Sequence, residues 1–234
     1  MLNSGMILAA GLGLRMRPLT LDRPKPLLEV AGRSMLDRAI DALTAAGVSF
    51  IIVNHHYLGE QIPTHLAGRN ICFSDESALL LETGGGVKKA LPSLGEGAFF
   101  VINGDIVWQD GATPALSRLF TAWNEAKLDA LLLLAEQESA IGYAGAGDFF
   151  LEEDGTLRRR GQAASAPYVF AGVQILHSRL FADAPEGPFS LNLLYDKALS
   201  AGRLAGLAHD GQWFHVGDPA GLAEADAILR KVLV

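Results

Sequence analysis

The segment Met6-Ile-Leu-Ala-Ala-Gly-Leu-Gly-Leu-Arg-Met16, near the start of the chain, gives the strongest indication of its fold. Its apolar first half, Met6–Ala10, predicts a buried strand that runs directly into a loop. Gly11 and Gly13 allow the backbone N–H groups of that loop to approach phosphate oxygens closely. The stretch therefore predicts a strand followed by a phosphate-binding loop.

Short apolar runs alternate with amphipathic stretches through the first 135 residues. The further predicted strands are Phe50–Asn54, Ile71–Ser74, Ala98–Asn103 and Ala130–Leu134. The predicted helices between them are Ser34–Ala46, Leu58–Leu66, Thr83–Leu91 and Pro114–Ala126. This alternation favours an α/β fold with right-handed crossovers, a mostly parallel central sheet and helices on both of its faces.

The chain from residue 136 onward changes character, because turn-rich segments separate short strands at Phe149–Leu151 and Val169–Leu176. Two helices are predicted after these strands, at Leu191–Ala201 and Pro219–Val234. We interpret this part as an insertion that completes one pocket. Residues 1–234 are therefore expected to form a single domain.

Composition and charge exclude several classes of protein. Half of the 234 residues are hydrophobic and 19% are charged, which argues against a disordered chain. Nineteen basic residues against 26 acidic ones give a net charge of −7, which disfavours nucleic acid as a partner. The single Cys72 excludes an internal disulfide and a multi-cysteine zinc site, and it fits a reducing compartment.

Neither a targeting segment nor a membrane span is predicted. The segment Met1–Leu14 carries no basic residue, which argues against a signal peptide. The apolar run Leu128–Ala135 is too short to cross a bilayer. We therefore expect a soluble, cytoplasmic protein that has no membrane partner.

Four cations, Arg15, Arg17, Arg23 and Lys25, lie within eleven residues that contain one acid, Asp22. In a chain of negative net charge, this cluster provides the local countercharge that an anionic ligand requires. The dinucleotide-binding fingerprint is excluded because no third glycine follows Gly11 and Gly13 at its spacing, and no Gly-Lys-Ser/Thr follows to complete a P-loop. An ordinary strand-to-helix turn with solvated arginines is the remaining alternative.

The segment from Leu8 to Thr20, together with Pro24-Lys-Pro-Leu27, resembles the signature of the sugar-1-phosphate nucleotidyltransferases. The resemblance covers almost the whole chain and continues through Leu81–Gly86, Val101–Asp105, Gly147–Phe149 and Phe170–Gly172. The sequence Leu-Glu-Thr-Gly-Gly-Gly at 81–86 is most similar to the corresponding motif of the N-acetylmuramate-1-phosphate uridylyltransferases. Glucose- and mannose-type relatives more often carry Leu-Gly-Thr-Ala-Gly there.

The resemblance implies a Rossmann-like three-layer α/β fold and a defined reaction. A sugar 1-phosphate attacks the α-phosphorus of a nucleoside triphosphate, and the products are a nucleoside diphosphate sugar and pyrophosphate. UTP with N-acetylmuramate 1-phosphate is the favoured pair of substrates, and it would place the protein in peptidoglycan recycling. GTP with mannose 1-phosphate is the alternative pair. Residues 1–135 would bind the nucleotide, and residues 136–234 would bind the sugar.

The matching positions imply roles for individual residues. Arg15 would hold the β- and γ-phosphates, and Lys25 would bridge the α-phosphate and the incoming sugar phosphate. Asp105 completes this implied catalytic set. The remaining implied nucleotide-binding positions are Leu8, Ala9, Ala10, Gly11, Gly13, Leu14, Thr83 and Gly84. Thr83 has an alternative role, since its hydroxyl could cap the helix predicted to start there.

Three positions are implied for the sugar, and two of them have structural alternatives. Asn103 would bind the sugar or the ribose. Asp148 would bind the sugar, but beside Gly147 it is equally a residue that forms a turn. Gly172 would let the sugar approach the backbone, and a strand glycine at a bulge is its alternative.

A magnesium site is expected at Asp105, which follows the predicted strand Ala98–Asn103. Mg²⁺ prefers hard oxygen ligands and would bridge the phosphates there, and Mn²⁺ is expected to be able to replace it. An aspartate that forms a turn or caps a helix is the alternative.

The second metal ligand is the point at which this chain departs from the family. Relatives usually read Trp-x-Asp-x-Gly-Thr, whereas this chain reads Trp213-Phe-His-Val-Gly-Asp-Pro219 and places His215 at the carboxylate position. Neutral imidazole is a poor ligand for Mg²⁺. Three arrangements are open: His215 binds the metal weakly or through water, Asp218 replaces it, or His215 contacts a phosphate. Asp218 can also cap a helix that has Pro219 in its first position.

His215 also motivates a rival function, a catalytically weak regulator that binds a sugar nucleotide. Arg15, Lys25 and Asp105 argue against this rival, because a binding module has no evident need for all three. The expected partners are a nucleoside triphosphate and a sugar 1-phosphate, bound by a monomer or a small homo-oligomer.

Overall fold

The computed structural model describes residues 2–232. The strands are β1 (Ser4–Leu8), β2 (Glu29–Val30), β3 (Arg33–Ser34), β4 (Phe50–His55), β5 (Cys72–Asp75), β6 (Ala98–Asn103), β7 (Val107–Gln109), β8 (Ala130–Glu136), β9 (Phe149–Leu151), β10 (Leu157–Arg159), β11 (Tyr168–His177), β12 (Leu204–Ala208) and β13 (Gln212–Phe214). The helices are α1 (Met35–Ala45), α2 (Gln61–His65), α3 (Glu82–Leu94), α4 (Ala115–Ala122), α5 (Asn192–Ser200) and α6 (Pro219–Val232). Short helical turns lie at Leu14–Met16, Lys25–Leu27, Gln137–Ser139 and Ser178–Phe181.

Within residues 2–232, nine strands form one sheet in the order β10-β9-β11-β6-β1-β4-β5, with β8 paired to β11 and β12 paired to β8. The pairings among β6, β1, β4 and β5 are parallel, which confirms the sheet predicted for the first part of the chain. β11 runs antiparallel to both β6 and β8. A short helical turn and the β9–β10 pair connect β8 to β11. Because β8 and β11 are antiparallel, this connection does not need the crossover helix that joins parallel strands.

Helices pack on both faces of this sheet and produce three layers. Phe100 and Ile102 of β6 point to one face, where they share an apolar cluster with α1 and α4. Phe99 and Val101 of the same strand point to the other face and pack with α3 and α5. Successive residues of one strand thus bury both faces of the sheet, as expected for an interior strand of a sheet that helices cover on both faces. The predicted three-layer α/β fold is confirmed.

The helix starts follow local signals in one case and depart from them in another. α1 begins as predicted, because the Ser34 hydroxyl accepts a hydrogen bond from the Asp37 N–H at 3.0 Å. α2 is shorter than the predicted Leu58–Leu66 and begins only at Gln61. Leu58 has a φ of +50°, a left-handed backbone conformation that cannot continue a right-handed helix.

The helix ends also differ from the predicted ones. α3 continues to Leu94, beyond the predicted Leu91, and α4 stops at Ala122 because Trp123 has an extended backbone. α6 begins at the predicted Pro219, and its predicted end at Val234 lies outside the described residues. No helix among residues 2–232 combines the length and the apolarity that a membrane-spanning helix requires.

The carboxyl ends of β1, β4 and β6 meet at one edge of the sheet, because these strands are parallel neighbours. Leu8 pairs with Asn103 at that edge. Gly104 follows and donates its N–H to the Leu8 carbonyl at 2.8 Å. A Cβ atom at Gly104 would lie 2.9 Å from that carbonyl oxygen, so the absence of a side chain allows the two loops to approach. The loops after β1 and β6 are thereby held together.

Candidate active site

A cavity of about 570 Å³ opens at this edge of the sheet. Most of the predicted catalytic and nucleotide-binding positions line it, namely Leu8, Ala9, Ala10, Gly11, Gly13, Leu14, Arg15, Lys25, Thr83 and Asp105. Its volume lies within the range of small-molecule binding sites. The structure therefore brings together residues from the loops after β1 and β6, the start of α3 and the turn that contains Lys25.

The loop after β1 is closed by Gly13 and Thr20. Gly13 has a φ of +61°, and a Cβ atom there would lie 3.1 Å from the Thr20 side chain and 3.2 Å from that of Lys25. The Thr20 hydroxyl, which is buried, donates to the Gly13 carbonyl at 2.8 Å. Glycine is therefore required both for the backbone conformation and for the close approach of Lys25 to the loop.

Lys25 and Asp105 form an ion pair inside the cavity, with Lys25 Nζ 2.7 Å from Asp105 Oδ2. The two side chains differ in exposure, at 10% for Lys25 and 39% for Asp105. Asp105 Oδ1 has no hydrogen-bond partner among residues 2–232. The pair thus places a largely buried cation beside a carboxylate oxygen that remains available to a ligand.

Arg15 lies in the short helical turn Leu14–Met16 and is exposed. Its guanidinium makes no ion pair or hydrogen bond with another side chain in the described part of the chain, although it lines the cavity. A guanidinium in this state can form bidentate hydrogen bonds with phosphate oxygens without first breaking a protein contact. The structure is consistent with an anion-binding role for this residue.

A second, smaller cavity of about 240 Å³ shares Thr83 and Asn103 with the first one. Asp148 lines it, and the Asp148 Oδ2 accepts a hydrogen bond from the Phe170 N–H at 2.9 Å. Arg159 also lines this cavity. Two of the three predicted sugar positions, Asn103 and Asp148, are thus brought together in a cavity adjacent to the first.

The third predicted sugar position, Gly172, lies beside Asn103 rather than in the cavity lining. Its φ is +81°, and it lies where the pairing of β11 with β8 shifts register between Phe170 and Gln174, so the predicted bulge is present. A Cβ atom at Gly172 would lie 3.1 Å from Asn103 Nδ2. Gly172 therefore leaves space for the side chain of Asn103.

Thr83 and Gly84 bind a neighbouring segment of the protein. Thr83 Oγ1 accepts a hydrogen bond from the Leu191 N–H at 2.9 Å, so it satisfies an amide that precedes α5 and not one in its own helix. The Gly84 N–H donates to the Phe189 carbonyl at 2.8 Å, and a Cβ atom at Gly84 would overlap the Phe189 ring. Gly84 is buried and lies outside the cavity lining, whereas Thr83 lines both cavities.

His215 follows β13 and is partly buried outside the lining of both cavities. Its ring packs against Tyr143, with the ring centroids 5.5 Å apart, and a Cβ atom at Gly217 would overlap its Nε2. Burial lowers the pKa of His215 below its ordinary value, and the positive charges of Lys25 and Arg15 lower it further. These surroundings favour the neutral form of the His215 imidazole over the charged form.

Asp218 caps α6, which was its predicted alternative role. Its Oδ1 accepts a hydrogen bond from the Gly221 N–H at 2.9 Å, and Pro219 occupies the first helical position. The residue is exposed. One carboxylate oxygen of Asp218 is therefore committed to the helix.

The donor groups near Lys25 fit a Mg²⁺ ion held by a single carboxylate and completed by substrate phosphates. Mg²⁺ is usually bound in this way and not by a cage made wholly of protein groups. Asp105 offers one uncommitted oxygen inside the cavity. No group of three or more metal-ligating side chains exists among residues 2–232, so the protein alone provides no complete site.

A family model described as the MobA-like NTP transferase domain matches residues 5–146. Over 233 residues, the chain is 44% identical to the N-acetylmuramate alpha-1-phosphate uridylyltransferase of Caulobacter vibrioides, and the match covers 97% of this chain and 96% of that protein. The chain belongs to the MobA-like NTP transferase family, among its N-acetylmuramate alpha-1-phosphate uridylyltransferases.

Other relatives agree with this placement. A protein of the same name from Neisseria meningitidis is 36% identical over 95% of this chain and 96% of its own length. The mannose-1-phosphate guanyltransferase of Gibberella zeae is 42% identical over 111 residues, which are 44% of this chain and 30% of that protein. The inositol-1-phosphate CTP transferase of T. maritima superposes with a TM-score of 0.78 over 98% of this chain and 96% of its own, and at 19% identity this likeness shows the fold alone.

Several residues that line the two cavities of this family member were not predicted from the sequence. Asn54 and Glu82 line the larger cavity, and Arg159 and Tyr195 line the smaller one. Asn54 lies near the carboxyl end of β4, where α/β sheets bind ligands, and that position is the signal that could have identified it. Glu82 lies inside the recognised segment 81–86 but was given no role there, and Arg159 and Tyr195 lie in segments without a recognisable motif.

Proposed function

We propose that this protein transfers the uridylyl group of UTP to N-acetylmuramate 1-phosphate, and that UDP-N-acetylmuramate and pyrophosphate are the products. The observation that carries the proposal is the match along 97% of the chain to a uridylyltransferase of that name. The 42% identity to a guanyltransferase holds over less than half of the chain, so it supports mannose 1-phosphate and GTP less well. The product would supply cell-wall recycling in the cytoplasm.

The proposed reaction forms one bond and breaks another at the α-phosphorus. A phosphate oxygen of the sugar 1-phosphate attacks this atom, and the bond to the β-phosphate oxygen breaks, so that pyrophosphate leaves with its electron pair. No covalent bond to the protein is needed, and the protein has to align two anions and neutralise their charge. Lys25 is proposed to lie between the α-phosphate and the sugar phosphate, and Arg15 is proposed to hold the β- and γ-phosphates.

Asp105 is the proposed ligand of Mg²⁺, for which Mn²⁺ could substitute. When bound, the ion would neutralise charge on the phosphates. The Lys25–Asp105 ion pair supports this assignment, because it keeps the carboxylate oriented into the cavity. A regulator that only binds a sugar nucleotide would not need a cation and a carboxylate arranged in this way.

The smaller cavity is proposed to hold the sugar, and the Arg159 side chain in its lining supports an acidic one. N-acetylmuramate differs from N-acetylglucosamine in carrying a lactyl carboxylate. Arg159 is the one cation that lines this cavity in the described part of the chain. Its Nε donates to Asp196 Oδ1 at 2.9 Å and its Nη2 to Asn192 Oδ1 at 3.0 Å, whereas Nη1 makes no such hydrogen bond among residues 2–232. An uncommitted guanidinium N–H group can therefore reach a carboxylate.

The test is a panel of substrates with Mg²⁺ in which pyrophosphate release is measured. Each of the four common nucleoside triphosphates is combined with N-acetylmuramate, N-acetylglucosamine, glucose or mannose 1-phosphate. We expect the highest kcat/KM for UTP with N-acetylmuramate 1-phosphate, because a pocket shaped for uracil rejects guanine by size and by unpaired polar groups. Equal or better use of GTP with mannose 1-phosphate would favour the guanylyltransferase, and tight binding without turnover would favour the regulator.

A further inference from the structure

Two buried polar residues connect two walls of the larger cavity. Asn54 and Glu76 are 2% and 1% exposed, and Asn54 Nδ2 donates to Glu76 Oε1 at 2.7 Å. At one end, Asn54 Oδ1 accepts a hydrogen bond from the Ala9 N–H at 2.6 Å. At the other end, Glu76 Oε2 accepts one from the Leu81 N–H at 2.9 Å. We call this Asn54–Glu76 pair the brace.

Both ends of the brace lie next to residues that line the cavity. Ala9 belongs to the loop after β1, and Leu81 lies between the cavity residues Leu80 and Glu82. Glu82 has a φ of +58°, a conformation that is strained for a residue with a side chain. A hydrogen bond to the preceding Leu81 amide can hold this strained turn in place. The brace therefore fixes the relative positions of two segments that have no common strand or helix.

The brace has no room to rearrange. A Cβ atom at Gly86 of α3 would lie 2.8 Å from Glu76 Oε1 and 2.9 Å from Asn54 Nδ2. The backbone of α3 thus packs directly against the contact between the two side chains. Buried polar groups in such surroundings have to be satisfied by each other, since a lost partner is not replaced by water.

The hydrogen-bond pattern requires one carboxylate in the pair. The N–H groups of Ala9 and Leu81 both donate inward, so each end of the brace must accept. If both side chains were amides, each would offer one accepting oxygen and one donating nitrogen. One of the three contacts would then place two donors against each other. One amide and one carboxylate satisfy all three contacts, and they do so in either order.

We propose that Asn54 and Glu76 are positioning residues that hold the loop after β1 and the start of α3 at the separation required by the nucleoside triphosphate. The inference rests on the proposed function, which assigns both segments to the nucleotide. Neither residue is assigned a step in the reaction. Asn54 itself lines the larger cavity, but its Oδ1 and Nδ2 are both bonded within the brace, so both residues act through the backbone of their neighbours in the lining.

The test compares two single variants with their combination. Glu76→Gln leaves two donors facing each other, and Asn54→Asp places two carboxylates in contact. We expect each change to raise KM for UTP, and Kd for UTP, roughly tenfold. kcat should stay within about threefold, and KM for the sugar 1-phosphate should change less than KM for UTP, because neither Asn54 nor Glu76 lines the smaller cavity.

The double variant Asn54→Asp with Glu76→Gln exchanges the two chemical types and restores every contact. The carboxylate introduced at position 54 would accept from the Ala9 N–H and from the side-chain amide introduced at position 76. The oxygen of that introduced amide would accept from the Leu81 N–H. We expect Kd and KM for UTP of the double variant to return to within about threefold of wild type. This recovery would not occur if the singles acted by an unrelated loss of packing.

Ser34→Ala is the matched control for lost stability. Ser34 is 3% exposed and caps α1, so its removal lowers Tm, but it lines neither cavity. Kd and KM for UTP should therefore be unchanged in this variant at a temperature well below its Tm. If the brace were merely structural, Glu76→Gln would behave in the same way.

Three results would overturn the proposal: a folded Glu76→Gln protein with wild-type Kd for UTP, a double variant that fails to fold, or one that binds UTP no better than the singles. Failure of the proposed function is distinguishable from these. In that case the wild-type protein binds UTP but transfers the uridylyl group to no sugar phosphate. The same variants then test the brace through Kd for UTP alone, measured by calorimetry.

Discussion

Lys25 Nζ lies 2.7 Å from Asp105 Oδ2, although the two residues are eighty positions apart in the sequence. Lys25 comes from the short turn Lys25–Leu27 and Asp105 from the loop after β6. The fold joins the two because Gly104 donates its N–H to Leu8, which brings the loop after β6 against the loop after β1. A cation and a carboxylate in contact at the carboxyl edge of a parallel sheet are suited to binding phosphates, directly and through a metal ion.

The first prediction concerns Lys25. Replacement by alanine removes a preorganised charge that aligns both phosphates, so kcat/KM should fall roughly a hundredfold to a thousandfold. Tm should change little, because Asp105 remains partly solvated without its partner. The measurement is steady-state pyrophosphate release, together with thermal unfolding.

Arg17→Ala is the control for this prediction. Arg17 is exposed in the same part of the sequence and lines neither cavity, so its kcat/KM should stay close to that of wild type. Normal turnover by a folded Lys25→Ala protein would remove Lys25 from the proposed mechanism.

The second prediction concerns the metal. Asp105→Asn keeps the size of the side chain but removes the anionic oxygen that Mg²⁺ prefers, so activity at ordinary Mg²⁺ concentrations should be almost abolished. Folding, followed by Tm, should be largely retained. Full activity of this variant at ordinary Mg²⁺ would contradict the assignment of Asp105.

Titration with Mg²⁺ and Mn²⁺ separates the three arrangements at the second ligand. If His215 binds the metal, His215→Asp should tighten Mg²⁺ and His215→Ala should raise the concentration required. If Asp218 is the ligand, Asp218→Asn should reproduce the Asp105→Asn defect. If His215 contacts a phosphate, its variants should weaken substrate binding with an unchanged metal requirement. One oxygen of Asp218 is committed to the Gly221 N–H, and imidazole is a poor ligand for Mg²⁺, so a single protein carboxylate, Asp105, is the expected metal ligand.

The third prediction concerns pH. The pKa of His215 is lowered in the folded protein, so the unfolded chain binds a proton more readily. Stability contributed by neutral His215 is therefore complete above the ordinary histidine pKa of 6.5 and is lost as the pH falls below it. Unfolding by denaturant at about pH 7.5 and about pH 5.5 should show this loss. His215→Gln should reduce this loss of stability at low pH. The reduction should be incomplete, because the pKa of His177 is also lowered and His177 contributes to the same loss. If the free energy of unfolding of His215→Gln depended on pH as strongly as that of wild type, the burial of His215 would be contradicted.

The fourth prediction concerns Gly172. Gly172→Ala combines a left-handed φ with a Cβ contact at 3.1 Å to Asn103 Nδ2, so it should lower stability and raise KM for the sugar 1-phosphate. The backbone strain alone should cost about 1–2 kcal/mol. Gly202→Ala is the matched control, since Gly202 also has a positive φ but nothing within 4 Å of a new Cβ. Both variants should lose stability. If KM for the sugar 1-phosphate were equal in the two variants, Gly172 would have no role in the sugar site.

The fifth prediction concerns selection of the sugar. Arg159→Gln should lower kcat/KM for N-acetylmuramate 1-phosphate roughly tenfold, because a charge-assisted hydrogen bond to the lactyl carboxylate is lost. The low rate with N-acetylglucosamine 1-phosphate, which lacks that carboxylate, should not change. The neighbouring Arg158 is exposed over the Phe150 ring and lines neither cavity, so Arg158→Gln is the matched control. Equal losses with both sugars would show that Arg159 does not read the carboxylate.

The parts of the fold that sequence predicts well are those with strong local patterns. β6 at Ala98–Asn103 and β9 at Phe149–Leu151 have the predicted bounds, because each is a short apolar run bounded by polar or turn residues. β12 was not predicted, since Leu204–Ala208 is rich in alanine and glycine and has little strand propensity. It is a strand because it pairs in parallel with β8, more than sixty residues earlier in the chain.

The candidate site divides in the same way. Arg15, Lys25 and Asp105 stand in motifs whose chemistry can be read from neighbouring residues. The brace of Asn54 and Glu76 has no such motif, because its three hydrogen bonds join the loop after β1, β4 and the connection from β5 to α3, which only the folded chain brings together. Thr83 shows the same limit: its hydroxyl does bind a backbone amide, as a capping residue would, but that amide belongs to Leu191.

The most direct test of the central claim follows the phosphorus atoms of UTP through one reaction. Wild-type protein is incubated with Mg²⁺, N-acetylmuramate 1-phosphate and UTP labelled at the α- or at the γ-phosphorus, and the products are separated. Attack at the α-phosphorus predicts that the α-label appears in UDP-N-acetylmuramate and the γ-label in pyrophosphate, in equal amounts, and that neither appears with Lys25→Ala over the same time. Release of the γ-label as inorganic phosphate, or no transfer of the α-label to the sugar, would contradict the account.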